Sequence, residues 1–141
     1  IWELLLETFN KLDTKYKIPA RNASHSDAGG QDTRYVIYYY FLWNLFSILG
    51  YQPELYGCSR CQKKLVPSIF YFSLDLGGVV CRQCIEKPKK SQAVSQDLIK
   101  ILRLLLKREW SVLDRLKIDV SSYKLLKKIS ESYLNEILDK N

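Results

Sequence analysis

The sequence holds no G-x-S-x-G, no H-E-x-x-H and no Walker-type phosphate loop, so none of these catalytic or phosphate-binding motifs is present. Its one histidine, His25, sits in a polar loop, and a Cys–His nucleophile pair would have to borrow a cysteine with another use. The carboxylates are scattered along helical patterns, with no pair that can be placed in a cleft. Catalysis therefore has no support, and the chain is read as a non-enzyme. There is no internal repeat and no secretory signal. The most apolar run, YVIYYYFLWNLFSILG (35–50), is shorter than the ~20 residues of a membrane span and carries Asn44 and four tyrosines. It predicts a buried helix and no membrane partner. Without an export signal the cysteines are expected in a reducing cytoplasm, which argues against a disulfide staple. Methionine is absent even at the first position. The chain opens Ile1-Trp2-Glu3 inside a helical pattern, which predicts a piece of a longer protein whose N-terminal portion has been removed.

What is present is enough for one domain, residues 1–141, with a small insert at 56–86. A chain of this size hides roughly two-thirds of its unfolded surface. The net charge of +7 is unevenly placed. Residues 1–50 carry five basic and five acidic side chains, 51–95 carry seven and three, and 96–141 carry ten and seven. A basic surface confined to the later two segments favours an anionic partner, nucleic acid or an acidic peptide.

Periodicity predicts a mainly helical domain. Residues 1–16 read as an amphipathic helix with Trp2, Leu5, Phe9, Leu12 and Tyr16 on its buried face, a Glu7–Lys11 pair opposite, and Pro19 ending it. A polar loop, Arg21 to Thr33, leads to a second helix capped by Asp32 or Thr33, apolar nearly all round and so central. The tyrosines of this helix, Tyr35, Tyr38, Tyr39 and Tyr40, are read as core. Gly50 and Pro53 close it. SIFYFS and GVV predict two short strands joined by a turn at 75–78. EKPKKSQAVSQ reads as a linker to a third helix over 96–110, with Leu98, Ile101, Leu102 and Leu105 inward. A short turn near 112–116 precedes a last helix over 122–139, buried through Leu126, Ile129, Tyr133 and Ile137.

The decisive motif is a pair of C-x-x-C turns. Cys58 and Cys61 are separated from Cys81 and Cys84 by nineteen residues, the spacing of a structural zinc site. A tight C-x-x-C turn aims two thiolates at one ion while backbone N–H groups donate to the sulfurs. Four cysteines leave no open coordination position, so the expected cofactor is one structural Zn2+ in a four-cysteine ribbon built on a short β-hairpin. A thiol-redox pair would want one C-x-x-C at a helix N-terminus in a βαβ setting, and an iron–sulfur cluster is a less common use of paired hairpin turns. Around the ribbon Lys63, Lys64, Arg82, Lys87, Lys89 and Lys90 form a basic set, with Tyr56 and Tyr71 nearby in sequence. Lys100, Arg103 and Lys107 of the third helix could extend it toward DNA or an acidic partner. A solvated face that only keeps the chain soluble is the competing reading.

GYQPELYGCSRC has the form G-Y-x-P-x-L-x-x-C-x-x-C, and YFSLDLGGVVCRQC has F-S followed by G-G-x-x-C-x-x-C. Together, over residues 50–84, they resemble the C-terminal domain of the RecO family of bacterial recombination mediators. Gln62 stands where glycine is common in that family. The resemblance implies a helical domain bearing the ribbon, preceded by an oligonucleotide-binding barrel that these residues do not include. It also implies a nucleoid-associated, cytoplasmic role without catalysis: binding single-stranded DNA, pairing with RecR, engaging the acidic C-terminal tail of single-stranded-DNA-binding protein, and helping to load RecA. A zinc-ribbon DNA-binding regulator and a C-x-x-C redox protein are the other readings. The regulator would prefer particular duplex sequences, and the redox protein would turn over a disulfide.

Overall fold

The computed structural model describes residues 1–15 and 34–141. Five helices and a three-stranded antiparallel sheet follow in the order α1 (Trp2–Lys15), α2 (Arg34–Ile48), β1 (Phe70–Ser73), β2 (Gly78–Cys81), β3 (Ser91–Val94), α3 (Gln96–Lys107), α4 (Trp110–Leu113) and α5 (Val120–Asp139). Tyr16, Pro19, His25, the 21–33 loop and the proposed caps Asp32 and Thr33 lie outside the described residues.

α2 is central, as its all-round apolarity requires. Trp43 is fully buried. It stacks on Tyr133 of α5 at 5.6 Å and 17°, meets Phe46 and Phe72 edge-on at 5.3 and 5.9 Å, and donates Nε1–H to Ser130 Oγ at 3.0 Å. One aromatic cluster thus joins α2, α5 and the sheet. Buried Asn44 ties α2 to α3 by donating Nδ2–H to Leu105 O at 3.0 Å. The chain leaves α2 through paired C-terminal hydrogen bonds, Gly50 N to Ser47 O (3.1 Å) and Tyr51 N to Phe46 O (2.8 Å). Ser95 and Asp119 cap α3 and α5 by accepting from Leu98 N and Ser122 N. The stripes expected on α3 and α5 are buried, with Ile99 added to the first.

Four sequence expectations are corrected. In α1 the inward residues are Leu4 and Thr8, while Trp2 (71% exposed) and Phe9 (63%) face out. The reason is a polar partner. Glu7 does not pair with Lys11; it accepts from Tyr40 Oη (2.6 Å), Arg108 Nη2 (2.6 Å) and Trp110 Nε1 (2.7 Å), which turns its side of α1 inward. Burial acts to raise the Glu7 pKa, but these three donors outweigh it and hold the carboxyl below its ordinary value. Lys11 instead reaches Asp114 at 3.6 Å. Second, of the α2 tyrosines only Tyr39 and Tyr40 are core; Tyr35 and Tyr38 are half exposed. Third, the third helix ends at Lys107 because Arg108 takes a left-handed conformation (φ 59°), and the next helical turn begins at Trp110. Fourth, the 85–95 stretch is not a bare linker. It contains a 3₁₀ turn (Pro88–Lys90) and β3, which pairs with β1 so that the sheet order is β2-β1-β3.

The ribbon has no separate core. Leu55, Phe70, Phe72 and Val79 belong to the same buried cluster as the helices. The sheet is held by side-chain burial against α2 and α5.

Candidate metal centre

β1 and β2 pair with Ser73 opposite Gly78 and Phe70 opposite Cys81, so the hairpin turn lies at one end of the sheet and Cys81 at the other. The first C-x-x-C turn folds over that cysteine end. Cys58 O accepts from Gln62 N and Cys58 N donates to Lys63 O, both at 2.9 Å, and Gly57 bridges to Lys64. Cys81 ends β2, and the 3₁₀ turn that follows it, Arg82–Cys84, brings Cys84 round to complete the second pair. The two turns are tied together by Ser59 N to Val79 O (2.8 Å), Cys81 N to Cys58 Sγ (3.4 Å) and an Arg60–Glu86 ion pair.

Gly77 and Gly78 make the approach possible. Glu54 donates its N–H to Gly77 O (3.1 Å) and accepts at its carbonyl from Val79 N (2.8 Å), bridging to β2 at Gly78. A Cβ on Gly78 would stand 2.7 Å from Glu54 O. One on Gly77, whose φ is +65°, would stand 2.6 Å from Tyr133 Oη. Glu54 Oε1 then accepts from Tyr56 N (2.7 Å) and Gly57 N (3.1 Å), fixing the entry to Cys58.

All four sulfurs lie within 4.8 Å of one another, and all four are free thiols. A tetrahedral four-thiolate site with bonds of ~2.3 Å has sulfur–sulfur edges of about 3.8 Å, and the Cys61–Cys81 pair already stands at 4.0 Å. The donor set fits a metal ion. Burial acts to raise the Cys58 pKa, but backbone N–H groups of Cys61, Cys81 and Arg60 outweigh it and bring the thiol down to about 6. Cys84 is pushed up to about 12, first by its hydrogen bond with Cys81, then by desolvation and by the other two sulfurs. Four crowded thiols cannot all ionise beside one another, and a dication lets them do so.

Gln62 closes the first turn with φ +60°. A side chain there costs about 1–2 kcal/mol, offset in part by the extra unfolded freedom of glycine. Gln62→Gly is expected to stabilise the metal-loaded chain by about 0.5–1 kcal/mol, read as a rise in the urea midpoint at constant slope.

The family profile described as "Recombination protein O C terminal" matches residues 27–141. The chain belongs to the RecO family. A relative named DNA repair protein RecO from Dehalococcoides mccartyi strain BAV1 is 34% identical over 119 residues, covering 84% of this chain and 40% of its own. A protein of the same name from Desulfitobacterium hafniense strain DCB-2 is 35% identical over 100 residues, covering 69% and 37%. A third, from Caldanaerobacter subterraneus, is 38% identical over 74 residues, covering 52% and 29%. The chain thus spans at most about 40% of these relatives. No solved structure matches it. Among the described residues no helix is long and apolar enough to cross a membrane. The RecO match includes both C-x-x-C turns and the G-G pair that admits Glu54.

The basic candidates differ in what they already contact. Lys63, Lys64 and Arg82 are exposed at the cysteine end. Lys87 lines a small cavity together with Cys84, and its ammonium reaches Asp75 of the hairpin turn at 2.5 Å; Lys90 meets Asp75 at 3.2 Å and Glu136 at 3.0 Å. Lys89 is exposed on the same 3₁₀ turn, and Lys107 is exposed at the end of α3. Lys100 pairs with Asp97 at 3.4 Å. Arg103 is turned inward, with Nε and Nη2 on Leu55 O at 3.1 and 2.5 Å. Glu54 and Arg103 are the residues sequence reading missed as parts of the centre. The partners of both side chains are backbone groups, which leave no side-chain pattern to detect.

Proposed function

We propose that this chain is the metal-stabilised, non-catalytic module of a RecO-type DNA repair protein. The observation that carries the reading is the four-thiol cluster of Cys58, Cys61, Cys81 and Cys84, lying inside the residues matched to the family. One structural zinc would be held there, closing the cysteine end of a 56–86 ribbon within a single 1–141 domain. When bound, it supplies charge compensation for four thiolates and no chemistry toward a substrate.

In this reading the module helps a recombinase load onto single-stranded DNA. It would do so by meeting the strand, RecR and the acidic tail of single-stranded-DNA-binding protein, with RecA engaged indirectly, in the cytoplasm at the nucleoid. Lys63, Lys64 and Arg82 at the cysteine end, with Lys89 and Lys107, are the cations best placed to meet phosphate or carboxylate. They are exposed and make no ion pair among the described residues. Lys87, Lys90 and Lys100 contribute less, because each already faces a carboxylate.

The test is metal analysis of the purified chain, followed by fluorescence anisotropy with a labelled single-stranded oligonucleotide at several salt concentrations. About one zinc per chain is expected, with affinity falling steeply as salt rises, as phosphate contacts require. A Lys63→Gln, Lys64→Gln, Arg82→Gln triple variant should flatten the salt slope by about two to three. A metal-loaded chain with no binding at low salt would remove DNA from the proposal and leave a dock for protein partners.

A further inference from the structure

The approach to Cys58 is held in place by a helix that contributes no ligand. Arg103, in the middle of α3, donates from both Nε and Nη2 to the carbonyl oxygen of Leu55, and its guanidinium carbon lies 4.4 Å from the centre of the Tyr56 ring. Leu55 is buried, 1% exposed, and Arg103 is the hydrogen-bond donor to its carbonyl among the described residues. Glu54 fixes the preceding residue to β2 through its backbone and the following two through Oε1. Residues 54–57 are thus anchored to β2 at Glu54 and to α3 at Leu55 and Tyr56, and the next residue is the buried ligand candidate Cys58.

We infer that Arg103 is a positioning residue for the metal: it sets where the Cys58 sulfur stands relative to the other three, and links metal occupancy to α3. This rests on the four-thiolate reading proposed above. Without the guanidinium, Leu55 O becomes a buried acceptor with no donor, and a charge-assisted bond is lost as well. The segment relieves this by turning 54–57 toward water, which carries Cys58 with it. Linkage makes the effect mutual. A closed metal site keeps the Leu55 carbonyl where Arg103 can reach it, so the ion steadies α3 although none of the four candidate ligands belongs to α3. It also means that Arg103, unlike Lys107 on the same helix, is not a surface cation for a partner.

The test uses the whole 141-residue chain loaded with zinc, and in parallel with cobalt. Metal release into excess chelator is timed for wild type, Arg103→Gln, Arg103→Lys, Tyr56→Leu and Lys107→Gln. Arg103→Gln should still take up one metal per chain but release it about tenfold faster or more, the kinetic counterpart of a lost charge-assisted bond. Its cobalt–thiolate absorption should shift as the sulfurs rearrange. Arg103→Lys, keeping the charge but not the fork, should fall between, Tyr56→Leu should release faster than wild type, and Lys107→Gln should match wild type. Amide exchange in α3 should rise on chelation in wild type and be insensitive to metal in Arg103→Gln. If Arg103→Gln does not fold, the Lys and Tyr56 variants decide the matter by the same rates. Uptake with wild-type release and spectrum in the Arg103 variants would overturn the role of Arg103 alone. No metal uptake by wild type would overturn the four-thiolate reading and this inference together.

Discussion

Cys58→Ser is expected to abolish stoichiometric metal binding and to unravel residues 57–64 and 81–86 while α2 and α5 stay folded. Cys58 is the buried sulfur of the four, and the one that accepts the Cys81 N–H across the two turns. Serine offers a harder, shorter and weakly acidic ligand in its place, so the remaining three thiols lose the fourth corner of the tetrahedron. Structural zinc is worth ~10–16 kcal/mol in isolated fingers that are unfolded without it. That figure is an upper bound for this chain, because Phe70, Phe72 and Val79 share the buried cluster of the helices and have that packing as well as the cysteine site to hold them. A loss above about 4 kcal/mol relative to the zinc-loaded wild type is expected, in the range where lost metals fall. Zinc content should drop from one per chain to near zero. Hydrogen exchange should accelerate in the two cysteine turns and remain slow in α2 and α5. Full zinc content in the variant would contradict the cluster as the site. Exchange that accelerates equally everywhere would mean that ribbon and helices unfold as one unit.

Trp43→Ala should cost about 3–5 kcal/mol, and with metal present it should unfold the chain more readily than any other single helix substitution. Trp43 is the one side chain in ring contact with α5 and β1 at once from α2, through Tyr133 and Phe72. Truncation opens a cavity at a place where three elements meet, so no single one can move to fill it. It also strands the Ser130 hydroxyl, which accepts the indole N–H at 3.0 Å. Trp43→Phe should recover roughly half of the loss by refilling the space without the donor. Urea unfolding of both variants in the zinc-loaded form checks this. A loss under ~1.5 kcal/mol for the alanine variant would show that the cluster is loosely packed.

The cysteine centre was legible because metal chemistry dictates spacing directly: two C-x-x-C turns nineteen residues apart have few other uses. The hairpin was legible from the SIFYFS and GVV runs and the turn at 75–78 between them. β3 was not, since only Val94 of its four residues is buried and its place depends on backbone pairing with β1. α1 was misread for a different reason. Trp2, Phe9 and Leu4 compete for the inside on equal terms in a sequence. The choice was made by Glu7, whose partners Tyr40, Arg108 and Trp110 lie 33, 101 and 103 residues away. Arg103 looked like one more surface cation for the same reason: the Leu55 carbonyl it serves is invisible until the chain has folded.

The sheet order has a consequence for self-association. A β-sheet with an open edge is a template for the next molecule's strand. Here the β2 side is already occupied by Glu54, which exchanges hydrogen bonds with Gly77 and Val79. The β3 side is only four residues long and is entered through Lys87, Pro88, Lys89 and Lys90, a proline and three cations. Charge and a missing donor at the start of a short edge make it a poor surface for another strand to zip onto. Whatever else these lysines meet, their charge works against edge-to-edge pairing of two copies.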